Sequence, residues 1–270
     1  MAQNLLSPDG LAALAKHVAP DTLFAFDLDG TLAPIVAEYS EAVIDKPTRT
    51  VLERLLNLVK VAVITGRSRK DALAILELQP HLLIGNHGAE WPDAEIFHGN
   101  GKVNFCLKWR EQLHDKLCGS QGIEIEYKGE SLSIHYRKTE DHKQAIDLIN
   151  DEINRLVPAP KIIGGKYVVN LLPVDALTKG LALKAAMNSL GAERAIYFGD
   201  DVTDEEVFHL DGIDLLGIHI GEETETAAAY YLSNQSELLG LLNSMAEILE
   251  SHQEVCNVPN NHRFCKNHKR

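Results

Sequence analysis

Cysteine, basic charge and long apolar runs are all scarce in this chain. Only four cysteines, Cys106, Cys118, Cys256 and Cys265, occur in 270 residues. A chain of that length buries a core without covalent staples, so these read as reduced thiols rather than a disulfide framework. Lys and Arg total 26 against 39 Asp and Glu, a net charge of −13. That balance argues against general nucleic-acid binding and against docking on an anionic membrane. No apolar run approaches the ~20 residues of a membrane-spanning helix. The opening MAQNLLSPDGLAALAKHVAP lacks the basic start and unbroken apolar stretch of a secretory leader. These absences predict a soluble, cytoplasmic protein with no nucleic-acid or membrane partner. If its ligand is an anion, a metal or a few placed cations must offset the overall repulsion.

What is present is an ordinary globular composition, 45% hydrophobic and 24% charged. Short apolar β-type runs alternate with helical patterns. Leu23–Phe26, Val61–Ile64, Leu82–Ile84 and Ala195–Phe198 read as buried strands, and Ile213–Ile220 as a weaker one interrupted by Gly217. Pro47–Lys60, Ser68–Leu78 and Gln235–Glu250 carry helical spacing. Strand, helix, strand in repetition predicts a parallel sheet flanked by helices. The middle differs. Ile123–Tyr127 and Leu132–Arg137 read as a hairpin, Asp141–Leu156 as a helix and Tyr167–Leu172 as a further strand. The prediction is an α+β insert over 97–175 between two halves of one α/β domain, 1–96 and 176–270, with 251–270 a mobile tail. The tail holds His252, Cys256, His262, Cys265 and His268. Their spacing matches no common zinc module.

The chemistry-bearing residues gather at the ends of the predicted strands. Phe26-Asp27-Leu28-Asp29-Gly30-Thr31 places two carboxylates two residues apart on an extended segment, so both can face one site while Leu28 faces the core. Strand carboxyl ends are where parallel α/β sheets put their sites. Gly199-Asp200-Asp201-Val202-Thr203-Asp204-Glu205-Glu206 is a second strand running out into acid. Thr203 and Glu206 fit a helix capping box, which leaves Asp200 and Asp201 as adjacent acids wanting a cation. Carboxylate oxygens with few other ligands suit Mg²⁺. Thr65-Gly66-Arg67-Ser68 is either a plain strand-to-helix turn or a cradle for a phosphate oxygen. Lys179, at a helix start, runs against the helix dipole, which is the mark of a cation with a task or simply of a solvated side chain.

The order Asp-x-Asp, Thr, Lys, Asp-Asp resembles the four motifs of the haloacid dehalogenase superfamily. A finer match lies in Gly85-Asn86-His87-Gly88-Ala89-Glu90, the Lys128-Gly129 and His135-Tyr136-Arg137 hairpin, Gly165-Lys166-Tyr167-Val168-Val169, and Lys179-Gly180. Over residues 22–240 the chain is similar to the trehalose-phosphatase family. The resemblance implies a Rossmann-like core with an inserted α+β cap of the C2 type, and Mg²⁺-dependent hydrolysis of trehalose 6-phosphate. It implies Asp27 as nucleophile, Asp29 as acid and base, and Thr65 and Lys179 as phosphoryl ligands. The metal set implied is Asp27, Asp29 through its carbonyl, Asp200 and Asp201, with Asp204 helping to position that shell. The sugar contacts implied are Arg67, His87, Gly88, Glu90, Lys128, Lys166 and Asn170. Asn170 stands where the family commonly has Glu, so another sugar phosphate, of the sucrose or mannosylglycerate type, or a phosphomutase reaction stays open. A sugar phosphate is the implied small-molecule partner, with trehalose-6-phosphate synthase as an associated protein.

Overall fold

The structure, a computed structural model, describes residues 2–36, 41–92, 105–165, 167–222 and 225–257, with side chains in the last helix described to Gln253. The chain enters through a two-residue strand β1 (Gln3–Asn4) and helix α1 (Pro8–His17). Ser7 caps α1 and Pro8 begins it, both favourable at those positions. Strand β2 (Thr22–Phe26) is buried at every position. Then follow α2 (Lys46–Leu56), β3 (Lys60–Ile64), α3 (Arg69–Leu76) and β4 (Leu82–Ile84). After an intervening α+β segment come α6 (Lys179–Leu190), β9 (Arg194–Gly199), α7 (Glu205–Phe208), β10 (Asp214–Ile220), β11 (Tyr230–Leu232) and α8 (Leu238–Asn257).

These strands form one seven-stranded sheet in the order β1-β11-β10-β9-β2-β3-β4. Every pairing in it is parallel. A parallel sheet is covered on both faces, so its strands read as unbroken apolar runs. Side chains alternate across the sheet all the same. Phe24 and Phe26 join Val51, Leu55 and Leu242 in a core beneath α2 and α8. Leu23 and Ala25 face the opposite layer, with Leu183, Ala186 and Tyr197. Because the strands are parallel, β2, β3, β4 and β9 all release their loops along one edge of the sheet.

The intervening segment, between β4 and α6, builds a second sheet. Helix α4 (Phe105–Leu117), strands β5 (Glu124–Tyr127) and β6 (Leu132–His135), helix α5 (His142–Ile153), and strands β7 (Lys161–Gly165) and β8 (Val168–Leu172) form it. The antiparallel order is β5-β6-β8-β7. All of it falls inside the proposed 97–175 insert, whose limit at 97 lies outside the described residues. It has a core of its own around Trp109, Leu113, Ile134, Ile149 and Leu171. Trp109 is fully buried, and its Nε1 donates to the Pro158 carbonyl at 2.8 Å. Trp109→Ala is expected to cost about 3–5 kcal/mol, as large-to-small changes in cores do, and to lower the thermal unfolding midpoint accordingly.

Three expectations from sequence are corrected. Strands β1 and β11 extend the sheet where no strand was expected, because two or three residues are too short to show a periodicity. The last helix runs to Asn257, so residues 251–257 continue α8; His262, Cys265 and His268 lie outside the described residues. The capping box after β9 is formed by Asp201 and Asp204, not by Thr203 and Glu206. Among the described residues no helix is long and apolar enough to cross a membrane.

Candidate active site

The common edge of the parallel sheet faces the second sheet across a cavity of about 750 Å³. Asp27, at the end of β2, is 5% exposed and sits at the buried end of the arrangement. Lys179, the first residue of α6, places Nζ 3.1 Å from Asp27 Oδ1 and 2.8 Å from Asp204 Oδ1. It is 2% exposed. A lysine at a helix start is electrostatically unfavourable unless anions compensate it, and here two do. Asp204 is fully buried and accepts four hydrogen bonds. Oδ1 takes Lys179 Nζ and the Tyr197 hydroxyl, the latter at 2.6 Å. Oδ2 takes the backbone N–H groups of Asp200 at 3.1 Å and Asp201 at 3.0 Å.

Asp27, Asp200 and Asp204 bring carboxylate oxygens within 4.8 Å of one another. Burial pushes the Asp27 carboxyl well above its usual range; Lys179 opposes this, and Asp204, Asp200 and Asp29 add to it. Burial, with Asp204 adding, pushes Asp200 up to about 7. For Lys179, burial alone would favour the neutral amine, but Asp204 and Asp27 outweigh it and hold the ammonium. One lysine therefore leaves the cluster short of positive charge. Hard oxygen donors with uncompensated charge fit a divalent cation. Asp204 has spent its lone pairs on four donors, so Asp27 and Asp200 are the carboxylates with capacity to spare. Gly30 makes their approach feasible: its φ is +80°, and a Cβ there would lie 1.9 Å from Asp200 Oδ2.

Asp201, also expected as a metal ligand, lines the cavity, but it is not among the three acids whose oxygens converge. Its exposed carboxylate accepts from Val202 N at 2.7 Å as a helix cap. Asp29 lines the cavity with its side chain gripped by Arg67. Nε donates to Oδ2 at 2.6 Å and Nη2 to Oδ1 at 2.5 Å. Thr65, at the end of β3, is buried and lines the cavity, and its Oγ1 accepts from Arg67 N at 3.2 Å.

The loop after β4 serves two purposes. His87 lines the cavity, and its Nδ1 is buried with no partner among the described residues. Burial, reinforced by Lys179, Lys128 and Lys161, holds His87 well below its ordinary value, so the ring is neutral. Glu90 and Gly88, expected at the sugar, do not line the cavity. Glu90 Oε2 instead accepts from Arg69 N at 2.8 Å and Asn86 Nδ2 at 3.0 Å. Gly88, at φ +111°, lies so close to the chain at Leu177 and Thr178 that a Cβ would meet their carbonyls. Both tie the loop down. Asn86 ties it to the second sheet: Nδ2 donates to the Lys128 carbonyl at 3.1 Å, and Ser131 Oγ donates to Oδ1 at 2.8 Å.

The second sheet supplies the opposite wall. Lys128, on the turn after β5, and Asn170, on β8, line it as expected; Lys166 lies outside the described residues. Asn170 is already engaged, accepting from Ser133 Oγ at 2.6 Å and donating to the Ile163 carbonyl at 3.3 Å. Glu126, His135 and Arg137 also line the wall; no site role was assigned to them from sequence, although His135 and Arg137 belong to the hairpin that carries the resemblance. A signal was present: Glu124 and Glu126 are spaced by two along β5 and so share a face, with Lys128 two residues further on in the turn. His135 Nε2 lies 2.9 Å from Glu126 Oε2, and Lys128 Nζ 3.5 Å from the same oxygen.

A parallel sheet with acidic strand ends, a buried lysine between two of the acids, and an inserted sheet facing them is a fold shared with haloacid dehalogenase-like hydrolases. The fold matches the crystal structure of a haloacid dehalogenase-like hydrolase from Bacteroides thetaiotaomicron, with TM-score 0.62 and 18% identity over 84% of this chain and 99% of that one. A trehalose-6-phosphate phosphatase related protein aligns with TM-score 0.70 and 23% identity over 86% of this chain and 100% of that one. The profile of the trehalose-phosphatase family matches residues 25–213, and the chain belongs to that family, whose members are phosphoric monoester hydrolases. The trehalose-6-phosphate phosphatase of Escherichia coli is 29% identical over 243 residues, which span 85% of this chain and 88% of the relative.

Proposed function

We propose that the protein hydrolyses trehalose 6-phosphate to trehalose and phosphate with Mg²⁺, through a phosphoryl group carried on Asp27. The observation that carries the proposal is the placement of Asp27. It is buried, touches a lysine, lies beside a second acid, and opens on a cavity walled on its far side by polar side chains. Asp27 would attack phosphorus as the bond from phosphorus to the sugar oxygen breaks, and Asp29 would give its proton to that oxygen. Water would then attack the aspartyl-phosphate, with Asp29 taking back a proton, to release phosphate and restore Asp27. Asp29 can do neither while Arg67 holds both its oxygens, so the grip must loosen on binding; a phosphate dianion is the natural competitor for that guanidinium. Thr65 and Lys179 would hold the phosphoryl oxygens as charge shifts. When bound, Mg²⁺ would be held by Asp27, Asp200 and the Asp29 carbonyl, and would neutralise repulsion between nucleophile and phosphate.

Hydroxyls left unpaired in a closed site are costly, so a disaccharide needs partners along the opposite wall. The proposed sugar contacts are Lys128 and Lys166 together with His87, on the loop after β4. Asn170 favours a second reading, a phosphatase of another disaccharide phosphate, since it carries no charge and its amide is already bonded on both sides. A phosphate-release screen over a dozen sugar phosphates tests both. Trehalose 6-phosphate is expected to lead. Chelation should lower the rate by at least about 100-fold and added Mg²⁺ should restore it. Full activity without a divalent ion would refute the metal site, and a different preferred sugar would establish the second reading.

A further inference from the structure

We infer that Tyr197 is a positioning residue for the phosphoryl-transfer step: its hydroxyl shares Asp204 Oδ1 with Lys179 and so leaves the ammonium available to Asp27. This role rests on the phosphatase reading above.

The packing of β9 does not need the hydroxyl. Tyr197 has no exposed surface, and its ring packs edge-on against Phe208 with centroids 6.0 Å apart. Its neighbours in that layer are apolar, among them Ala25 and Val207. Phenylalanine would fill the same space. Taking a hydroxyl into such a layer is unfavourable unless it is bonded, and the bond it makes is to Asp204, at 2.6 Å. The polar atom of a buried strand is thus aimed at one of the two carboxylates that hold Lys179.

The arithmetic of donors explains what it does there. Asp204 Oδ2 is filled by two backbone N–H groups, which fix the carboxylate in place. Oδ1 is divided between the hydroxyl and Lys179 Nζ, the latter at 2.8 Å. Lys179 also reaches Asp27 Oδ1, at 3.1 Å. With the hydroxyl removed, Oδ1 has one donor instead of two, and the nearest charge able to compensate is the ammonium. Lys179 is then drawn towards Asp204 and away from the nucleophile and the group being transferred. Substrate binding is untouched, because Tyr197 does not line the cavity.

The test is Tyr197→Phe in the full chain with saturating Mg²⁺, assayed on trehalose 6-phosphate and on a small aryl phosphate, with thermal unfolding measured alongside. The expected result is a kcat lower by roughly 10-fold on whichever substrates the wild type turns over, the scale seen when a group behind a catalytic ligand is removed. KM should stay within about 2-fold, and the protein should be fully folded at the assay temperature. A kcat equal to wild type would overturn the role. So would a loss that only tracks the unfolded fraction, which would make the hydroxyl a stability feature, or a change confined to KM. The two levels separate cleanly. Wild-type protein active on the aryl phosphate but not on the sugar would overturn the sugar assignment and leave this comparison to be read on the aryl phosphate. A wild type inert towards both would overturn the phosphatase reading and this role with it.

Discussion

Asp27→Asn is expected to lower kcat by about 10⁴-fold or more while leaving the fold intact. The amide has nearly the shape of the carboxylate but a much weaker nucleophile at its tip, and no phosphoryl group should be trapped on the protein by rapid quenching. The substitution should also stabilise the metal-free protein. Burial raises the Asp27 carboxyl well above its usual range, with Asp204, Asp200 and Asp29 adding. A carboxyl raised on folding binds its proton more tightly in the native state than in the unfolded chain. Stability is therefore lost as pH rises from the unfolded value through the folded one. Asp200, pushed up to about 7, acts in the same direction. The unfolding midpoint of the metal-free wild type should fall between about pH 5 and about pH 8, and less steeply in Asp27→Asn. Mg²⁺ should reverse the wild-type loss by binding the native state alone. More than a per cent of residual turnover would remove Asp27 from the nucleophile's role, and a midpoint flat across that range would mean that the acids do not repel one another as buried anions.

The same charges explain how much of the site could be read from sequence. Asp27 and Asp29 stood out because turn and cap chemistry explain one carboxylate at the end of an apolar run well and two poorly. Lys179 stood out because a lysine opposes the dipole at a helix start, although a solvated side chain accounts for it until the order of the motifs is seen. Both are local conflicts, and such conflicts mark sites where function overrides local preference. Asp204 was legible only through the family resemblance, not from its own row. It sits in a helix's first turn, where an acid is favourable for ordinary reasons. Nothing in the row Asp200-Asp201-Val202-Thr203-Asp204 says which acid caps the turn and which is buried against a lysine; the path of the chain after β9 decides it. Glu90 shows the opposite limit. A charged residue in a loop near the site reads as a contact, yet its carboxylate serves the backbone of its own loop and α3. The parallel sheet followed from apolar runs buried on both faces, whereas the short strands β1 and β11 have no sequence pattern to show. The wall formed by the second sheet was only half read, since Lys128 stood out by type while Glu126 and His135 are recognisable only once the register of β5 and β6 is known.

Lys179→Met should be the second most damaging change, with kcat lower by roughly 10³-fold, the upper range for loss of one preorganised donor to developing charge. Methionine keeps the length of the stem, so the layer beneath the sheet stays packed and the charge is what is lost. Unlike Asp27→Asn, this change should also destabilise. Lys179 lies between Asp27 at 3.1 Å and Asp204 at 2.8 Å, and both acids are buried. Removing the cation leaves them facing each other uncompensated, and breaking a buried ion pair from one side costs about 3–5 kcal/mol. The metal-free unfolding midpoint at neutral pH should fall accordingly, and part of the loss should return at low pH as Asp27 takes up a proton. Adding Asp27→Asn to Lys179→Met should restore stability without restoring activity, because the double variant removes one of the two buried anions that the lysine had balanced. If the double variant were instead less stable than Lys179→Met, the two groups would not be coupled through charge, and Lys179 would owe its burial to packing alone.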